Sequence, residues 1–253
     1  MGEITMIYIT GDTHGTEDWE KINTRNFPDQ HMLTRHDYLI ILGDFGGVWD
    51  GSDEDKYVIK TYSERNFTTL FIDGNHENHD LLDKYPVSEW KGGKVHKIAD
   101  NVIHLMRGQV FEIDGLKIFT MGGAESTDKQ YRKEGVSWWA RELPSQEEYE
   151  EALRNLEKVN FAVHIVLTHC APEGYIGKNI RAVYNSDLSR MLAGSMAGVV
   201  DRSGNELTDF LDDLITVHKL KFGHWFFGHY HRDIDWEKFS LVFSKIKMIE
   251  SRR

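Results

Sequence analysis

Residues 68–77 read TTLFIDGNHE. The apolar run Thr69, Leu70, Phe71, Ile72 has strand composition and stops at Gly74. An amide, an imidazole and a carboxylate then follow one another at Asn75, His76 and Glu77. Turn chemistry alone accounts for one such tip, since Gly and Asn are common turn residues. The fold is decided by recurrence. ITMIYIT (4–10) runs into GDTHG, YLIIL (38–42) into GDFGG, FAVHIVLT (161–168) into HCAP, and KFGHWFF (221–227) into GHYH.

Near-continuous apolar runs of this kind read as strands buried on both faces. The helix-compatible stretch 53–66, DEDKYVIKTYSERN, lies between two of them, which predicts βαβ units and a largely parallel sheet. Within 101–123, three short runs are separated by Arg107-Gly108 and Asp114-Gly115. Both pairs read as hairpin signals and predict a second, antiparallel-rich sheet. A polar loop follows over 124–143. Ser145 and Glu148 then make a capping box for a helix whose face is Tyr149, Ala152, Leu153, Leu156 and Val159. A second amphipathic helix uses Leu207, Phe210, Leu211, Leu214 and Val217, and FSLVFSKIKMI (239–249) reads as a last strand. Repeats, low-complexity tracts and linkers are absent, so the expectation is one domain over 1–253.

The net charge of −11 gives no global field toward nucleic-acid backbones, so nucleic acid is not the expected partner. Apolar segments are too short to span a bilayer, and the first residues lack the pattern of a secretory signal. The single cysteine, Cys170, leaves no internal disulfide and no multi-cysteine zinc site. The expected setting is cytoplasmic, with no membrane partner; oligomeric state is left open. Cys170 itself reads as a small buried hydrophobe rather than a nucleophile.

Five strand-like runs end in groups able to bind a cation: Asp12 with His14, Asp44, Asn75 with His76, His169, and His229 with His231. Sites in α/β sheets form where carboxyl ends of strands converge. Singly, the acids and the amide read as caps or turns. Together with the histidines other than His76 they form a set of two carboxylates, one amide oxygen and four imidazoles. That set exceeds one tetrahedral ion and suits two divalent ions of the Mn, Fe, Zn, Co or Ni kind, with Mn favoured.

GDTHG, GDFG, GNHE, THCAP and GHYH, in this order over residues 7–232, resemble the five blocks of the calcineurin-like metallophosphoesterase superfamily. The resemblance implies an α/β fold, a four-layer sandwich of two mixed β-sheets flanked by helices. It implies that Asp12, His14 and His231 hold one metal, that Asn75, His169 and His229 hold the other, and that Asp44 bridges. It also implies that His76 is the general acid or phosphate contact; Glu77 and Asp18 are the two candidates to orient that imidazole. The expected reaction is hydrolysis of a phosphomonoester or phosphodiester by water activated between the metals, on a soluble nucleotide or other small phosphoester. The sequence departs from the protein Ser/Thr phosphatase branch, which carries an Arg just before GNHE where Asp73 stands here. Phosphate-gripping charge is therefore assigned to Arg132 and Arg181, in stretches that also read as solvated faces. A non-catalytic binding scaffold is the rival reading, with a protein phosphatase or a nuclease behind it. The complete GNHE block and ligand set favour the enzyme.

Overall fold

The computed structural model describes residues 5–174, 179–180 and 204–249. In chain order come β1 (Ile7–Thr10), β2 (Tyr38–Leu42), α1 (Asp53–Ser63), β3 (Thr68–Ile72), α2 (His79–Leu82), β4 (Val87–Trp90), β5 (Gly93–Ala99) and β6 (Val102–Leu105). These are followed by β7 (Gln109–Ile113), β8 (Leu116–Met121), α3 (Gln146–Lys158), β9 (Ala162–Thr168) and α4 (Glu206–Thr216). The chain continues through β10 (Lys221–Phe227), β11 (Ile234–Trp236), β12 (Phe239–Leu241) and β13 (Ile246–Ile249). The strands form a seven-stranded sheet, β13-β1-β2-β3-β6-β5-β4, and a six-stranded sheet, β11-β12-β10-β9-β8-β7.

Side-chain alternation along the strands sorts the apolar residues into layers. Ile7, Ile9, Ile40, Leu42, Leu70 and Ile72 point from the first sheet onto Ile118, Ile165, Leu167 and Phe226 of the second. Their neighbours Tyr8, Leu39, Ile41 and Phe71 point outward and pack with Val58 and Tyr62 of α1 and with Leu82 of α2. On the far side, Phe119, Val166, Trp225 and Phe227 pack under Tyr149, Ala152 and Leu156 of α3 and Leu207, Leu211 and Leu214 of α4. Helix, sheet, sheet, helix: the four expected layers are present.

The capping box at Ser145 and Glu148 forms as its spacing predicts. Four expectations are corrected. The second sheet is not antiparallel-rich. β8, β9, β10 and β12 run parallel, because helices α3 and α4 carry the chain back before β9 and β10. Asp114-Gly115 does turn the β7–β8 hairpin, with φ of 49° and 75°, as both central positions of a type I′ turn require. Arg107-Gly108, in contrast, carries the chain from one sheet to the other, while the unflagged pair Lys91-Gly92 turns the β4–β5 hairpin. Finally, 239–249 is two strands, β12 in the second sheet and β13 in the first, and Val217 sits exposed beyond its helix face.

Arg107 is at the sheet crossover because it is buried against Asp73, at the tip of β3. Its Nε and Nη2 donate to Asp73 Oδ2 at 2.8 and 2.6 Å, and His104 Nε2 lies 3.1 Å from Oδ1. Burial opposes the Asp73 charge, but Arg107 and His104 hold its carboxyl well below the usual range. Removing one partner of a buried ion pair costs about 3–5 kcal/mol. Arg107→Ala is therefore expected to lower the urea unfolding free energy by about that much, and a loss under about 1 kcal/mol contradicts the assignment.

Nearby His79, on α2, is pushed down to about 3 by burial and by the Arg107 charge. The unfolded chain takes up that proton near the ordinary histidine value, about 6.5, so stability falls as pH drops from there toward 3. For chelator-treated protein, this group removes roughly 2 kcal/mol between pH 7 and 5. His79→Leu should flatten that part of the decline; an unchanged slope contradicts it.

Candidate metal centre

The tips of β1, β2 and β3 in one sheet meet the tips of β9 and β10 in the other. Asp44, after β2, is at the meeting point. Its Oδ2 lies 3.3 Å from His14 Nε2 and 3.3 Å from His169 Nε2, and its Oδ1 accepts from the His76 backbone N–H at 2.8 Å. Donor atoms of Asp12, His14 and His231 lie within 4.8 Å of one another, as do those of Asp12, Asp44 and His169 and those of His14, Asp44 and His76. Asn75 Oδ1 is 3.2 Å from His169 Nε2. His229 is placed less closely. Its ring is 5.0 Å from that of His169, and its backbone N–H donates to Asp12 Oδ1 at 3.1 Å.

Two observations show that the donor set fits a cation. His231 Nε2 is 3.1 Å from Asp12 Oδ2, yet that fully buried oxygen receives no hydrogen bond, which leaves a lone pair aimed into the cluster. Two imidazoles also have one nitrogen already committed. His169 Nδ1 is 2.6 Å from the Leu42 carbonyl and His14 Nδ1 is 2.7 Å from Asp18 Oδ2. Such partners turn the Nε2 lone pairs inward, as in metal sites.

The electrostatics agree. Burial opposes charge on His14 and His169, but Asp44 outweighs it with help from Asp12 and raises them to about 9 and about 10. Burial likewise opposes charge on Asp44, which His169 and His76 hold well below the carboxylate range. His229 is pushed down to about 3 by burial and by its neighbour His169. Two carboxylates thus draw protons onto imidazoles that divalent ions would displace.

The backbone is specialised at the same places. His14, Asp44, His229 and His231 have φ of 41°, 49°, 68° and 48°, a left-handed region that costs a non-glycine residue of order 1–3 kcal/mol. Gly74 permits the convergence, since a Cβ there would overlap Asp44 Oδ1 and crowd His169.

His76 is half-buried at the mouth, with Arg132 Nη2 3.4 Å from its Nε2. Burial and the Arg132 charge lower its pKa. Arg132 is also paired with Asp128 at 2.7 Å. Arg181 lies outside the described residues. The expectation that Glu77 or Asp18 orients His76 is corrected: Asp18 serves His14, and Glu77 is buried beneath the site. There Glu77 accepts from the backbone N–H groups of Phe45 (2.6 Å) and Gly74 and so ties two strand tips together. Cys170 is buried, which pushes its thiol up to about 12 and leaves it inert.

Several contributors escaped the sequence reading. Lys21 Nζ donates to the carbonyls of Asp12 and Phe243, and Phe243 stacks on His231 at 4.6 Å. Trp49 faces His76 and is backed by Trp139 at 5.2 Å. Asp18, by contrast, was legible through its i, i+4 spacing from His14 but was assigned to His76; the contacts of Lys21, Trp49 and Phe243 depend on the tertiary fold.

The family model for calcineurin-like phosphoesterases matches residues 5–233. The chain belongs to that family. It is similar to the lariat debranching enzyme of Schizosaccharomyces pombe, at 25% identity over 214 residues. That match covers 82% of this chain but 40% of the relative, so the chain spans less than half of that protein. A solved structure, the Aquifex aeolicus protein of unknown function AQ665, aligns over 70% of this chain and 87% of its own at 16% identity, with a TM-score of 0.33. Among the described residues, no helix is long and apolar enough to cross a membrane.

Losing the partner of a metal-binding imidazole typically weakens metal affinity about 10–100-fold. Asp18→Ala should therefore bind Mn²⁺ that much more weakly in competition with a chelating dye. Affinity equal to wild type contradicts the role given to Asp18.

Proposed function

We propose that this calcineurin-like phosphoesterase is a dinuclear enzyme that hydrolyses a small soluble phosphoester, a nucleotide or a compound of similar size. The observation that carries the reading is the Asp44 carboxylate, equidistant at 3.3 Å from an imidazole of each sheet. Asp12, His14 and His231 would hold one cation and Asn75, His169 and His229 the other, with Asp44 within reach of both; Mn²⁺ is the favoured ion. Divalent ions held there supply positive charge for the phosphoryl oxygens and activation of water at neutral pH. His76, at the mouth, would serve as the general acid or phosphate contact, and the Arg132 guanidinium beside it would meet the phosphoryl group. The pairing of β1 with β13, from opposite ends of the described chain, supports a single domain over 1–253. A lone, buried, unbridged cysteine accords with a reducing cytoplasmic setting.

The cleft supports the substrate size. It holds about 610 Å³ beside His14, His76 and His231, with Trp49 and Phe243 as aromatic walls, within the range of ordinary small-molecule sites. Among the described residues, Glu17, Asp18, Asp50, Glu54 and Asp55 line it and no Lys or Arg does, which disfavours a long polyanion and suits hydroxyl groups or a neutral ring. A second reading, a branched lariat-type diester, has the relative's name in its favour.

The test measures metal content together with hydrolysis of p-nitrophenyl phosphate and bis-p-nitrophenyl phosphate, with and without Mn²⁺. Expected are close to two metals per chain and Mn²⁺-dependent turnover. In His76→Ala the metals should be retained while turnover falls about 10²–10⁴-fold. The preferred ester distinguishes monoester from diester chemistry. No bound metal and no turnover of either ester sinks the catalytic reading in favour of a binding scaffold.

A further inference from the structure

An amide can ligate a cation only through its oxygen, because its NH₂ end presents two hydrogens. Asn75 must therefore be held one way round, and a buried relay behind it does this. Asn75 Nδ2 donates to Ser126 Oγ at 3.2 Å. Ser126 Oγ in turn donates to Glu142 Oε1 at 2.9 Å, and the Ser126 backbone N–H donates to Glu142 Oε2 at 2.9 Å. Asn75, Ser126 and Glu142 are 4%, 5% and 0% exposed, so solvent cannot substitute for any of these partners.

The direction of the relay follows from its terminus. Burial raises the Glu142 carboxyl, but the two hydrogen bonds from Ser126 and the Lys129 and Arg132 charges favour its ionised form; an ionised carboxylate only accepts, so the Ser126 hydroxyl spends its single hydrogen on Glu142 and shows only lone pairs to Asn75. The NH₂ end of Asn75 must face Ser126. Its oxygen is then turned to His169 Nε2 and the cation position. Turning the amide over would set oxygen against oxygen at Ser126 and hydrogens against the cation, with no water to relieve either.

Ser126 and Glu142 lie near the two ends of the loop over 124–143, and their mutual hydrogen bonds close its base. The same loop carries Arg132 to His76 and Trp139 to Trp49. We propose that Ser126 and Glu142 are positioning residues that lock the Asn75 amide oxygen toward one of the two metal positions, so that occupancy of this position depends on the loop that also brings Arg132 to the substrate. The proposal rests on reading Asn75 as a metal ligand.

The test titrates chelator-treated full-length wild type, Ser126→Ala and Glu142→Gln with Mn²⁺, by equilibrium dialysis and electron paramagnetic resonance. Glu142→Gln is nearly isosteric, yet its NH₂ group donates to Ser126 Oγ and reverses the relay. Wild type should bind two Mn²⁺ and show the signal of a spin-coupled pair. Each variant should keep one ion at near wild-type affinity and bind the second about 10–100-fold more weakly. The coupled signal should then be lost at Mn²⁺ concentrations that saturate wild type. A general packing defect would weaken both positions together or lower the melting temperature of the chelated protein; that pattern overturns the proposal, as does wild-type binding of two coupled ions in Glu142→Gln. Should Ser126→Ala not fold, Glu142→Gln decides alone. Absence of bound Mn²⁺ in wild type itself overturns the metal-centre reading and this proposal with it, an outcome distinct from loss in the variants alone.

Discussion

Everything at the site is arranged around the buried carboxylate of Asp44, which the first sheet supplies and both sheets address. His14 reaches it from the tip of β1 and His169 from the tip of β9, each at 3.3 Å. This meeting requires the two sheets to pack face to face with their strand ends in register, and the apolar residues between them set that relation. Ile40 and Leu42 point into the inter-sheet core, while Leu39 and Ile41 point the other way. A slip of one residue along β2 would exchange the two faces and carry Asp44 away from His169. Core packing and site geometry are here the same constraint.

Holding ionisable groups and left-handed backbone in one buried place costs stability. Four non-glycine residues of the cluster have positive φ, at order 1–3 kcal/mol each. The surroundings offset this with specific bonds rather than bulk. Glu77 draws the loop after β2 and the loop after β3 together from below, and burial followed by the Asp44 charge pushes its carboxyl up to about 8. Lys21 secures the Asp12 carbonyl from the other side. Behind the site, Arg107 neutralises Asp73 while also donating to the Arg141 carbonyl at 2.8 Å. The crossover between sheets is thus tied to the β3 tip and to the substrate-side loop.

Much of this was legible in the sequence, for a physical reason. Strands buried on both faces read as apolar runs, and a cation site at their ends leaves Asp, Asn and His where a turn would ordinarily suffice. Helix signals that depend on neighbours in sequence, such as Ser145 with Glu148, were equally readable. Pairing between distant segments was not. A Gly-containing turn does not say whether the next strand joins the same sheet, so Arg107-Gly108 read as a hairpin, and with no Gly or Pro between them β12 and β13 read as one strand. Asp73 looked like a missing phosphate-binding arginine, whereas its partner, Arg107, lies 34 residues onward and faces the interior. Ser126 and Glu142 carried no signal, because their meaning depends on a fold that brings them to Asn75.

The acidic cleft wall and the ligand cluster behind it make opposite demands on a substrate. The cluster, once loaded, attracts a phosphoryl group, and the wall of Glu17, Asp50 and Glu54 turns away further anionic charge. Under the proposed function, that contrast would favour a compound with its charge concentrated at one end. The most direct test of the central claim is a crystal structure of the Mn²⁺-loaded protein with anomalous scattering recorded at the manganese edge. Two anomalous peaks flanking the Asp44 carboxylate, one beside Asp12, His14 and His231 and one beside Asn75, His169 and His229, are the predicted result. A single peak, or peaks away from Asp44, would contradict the account.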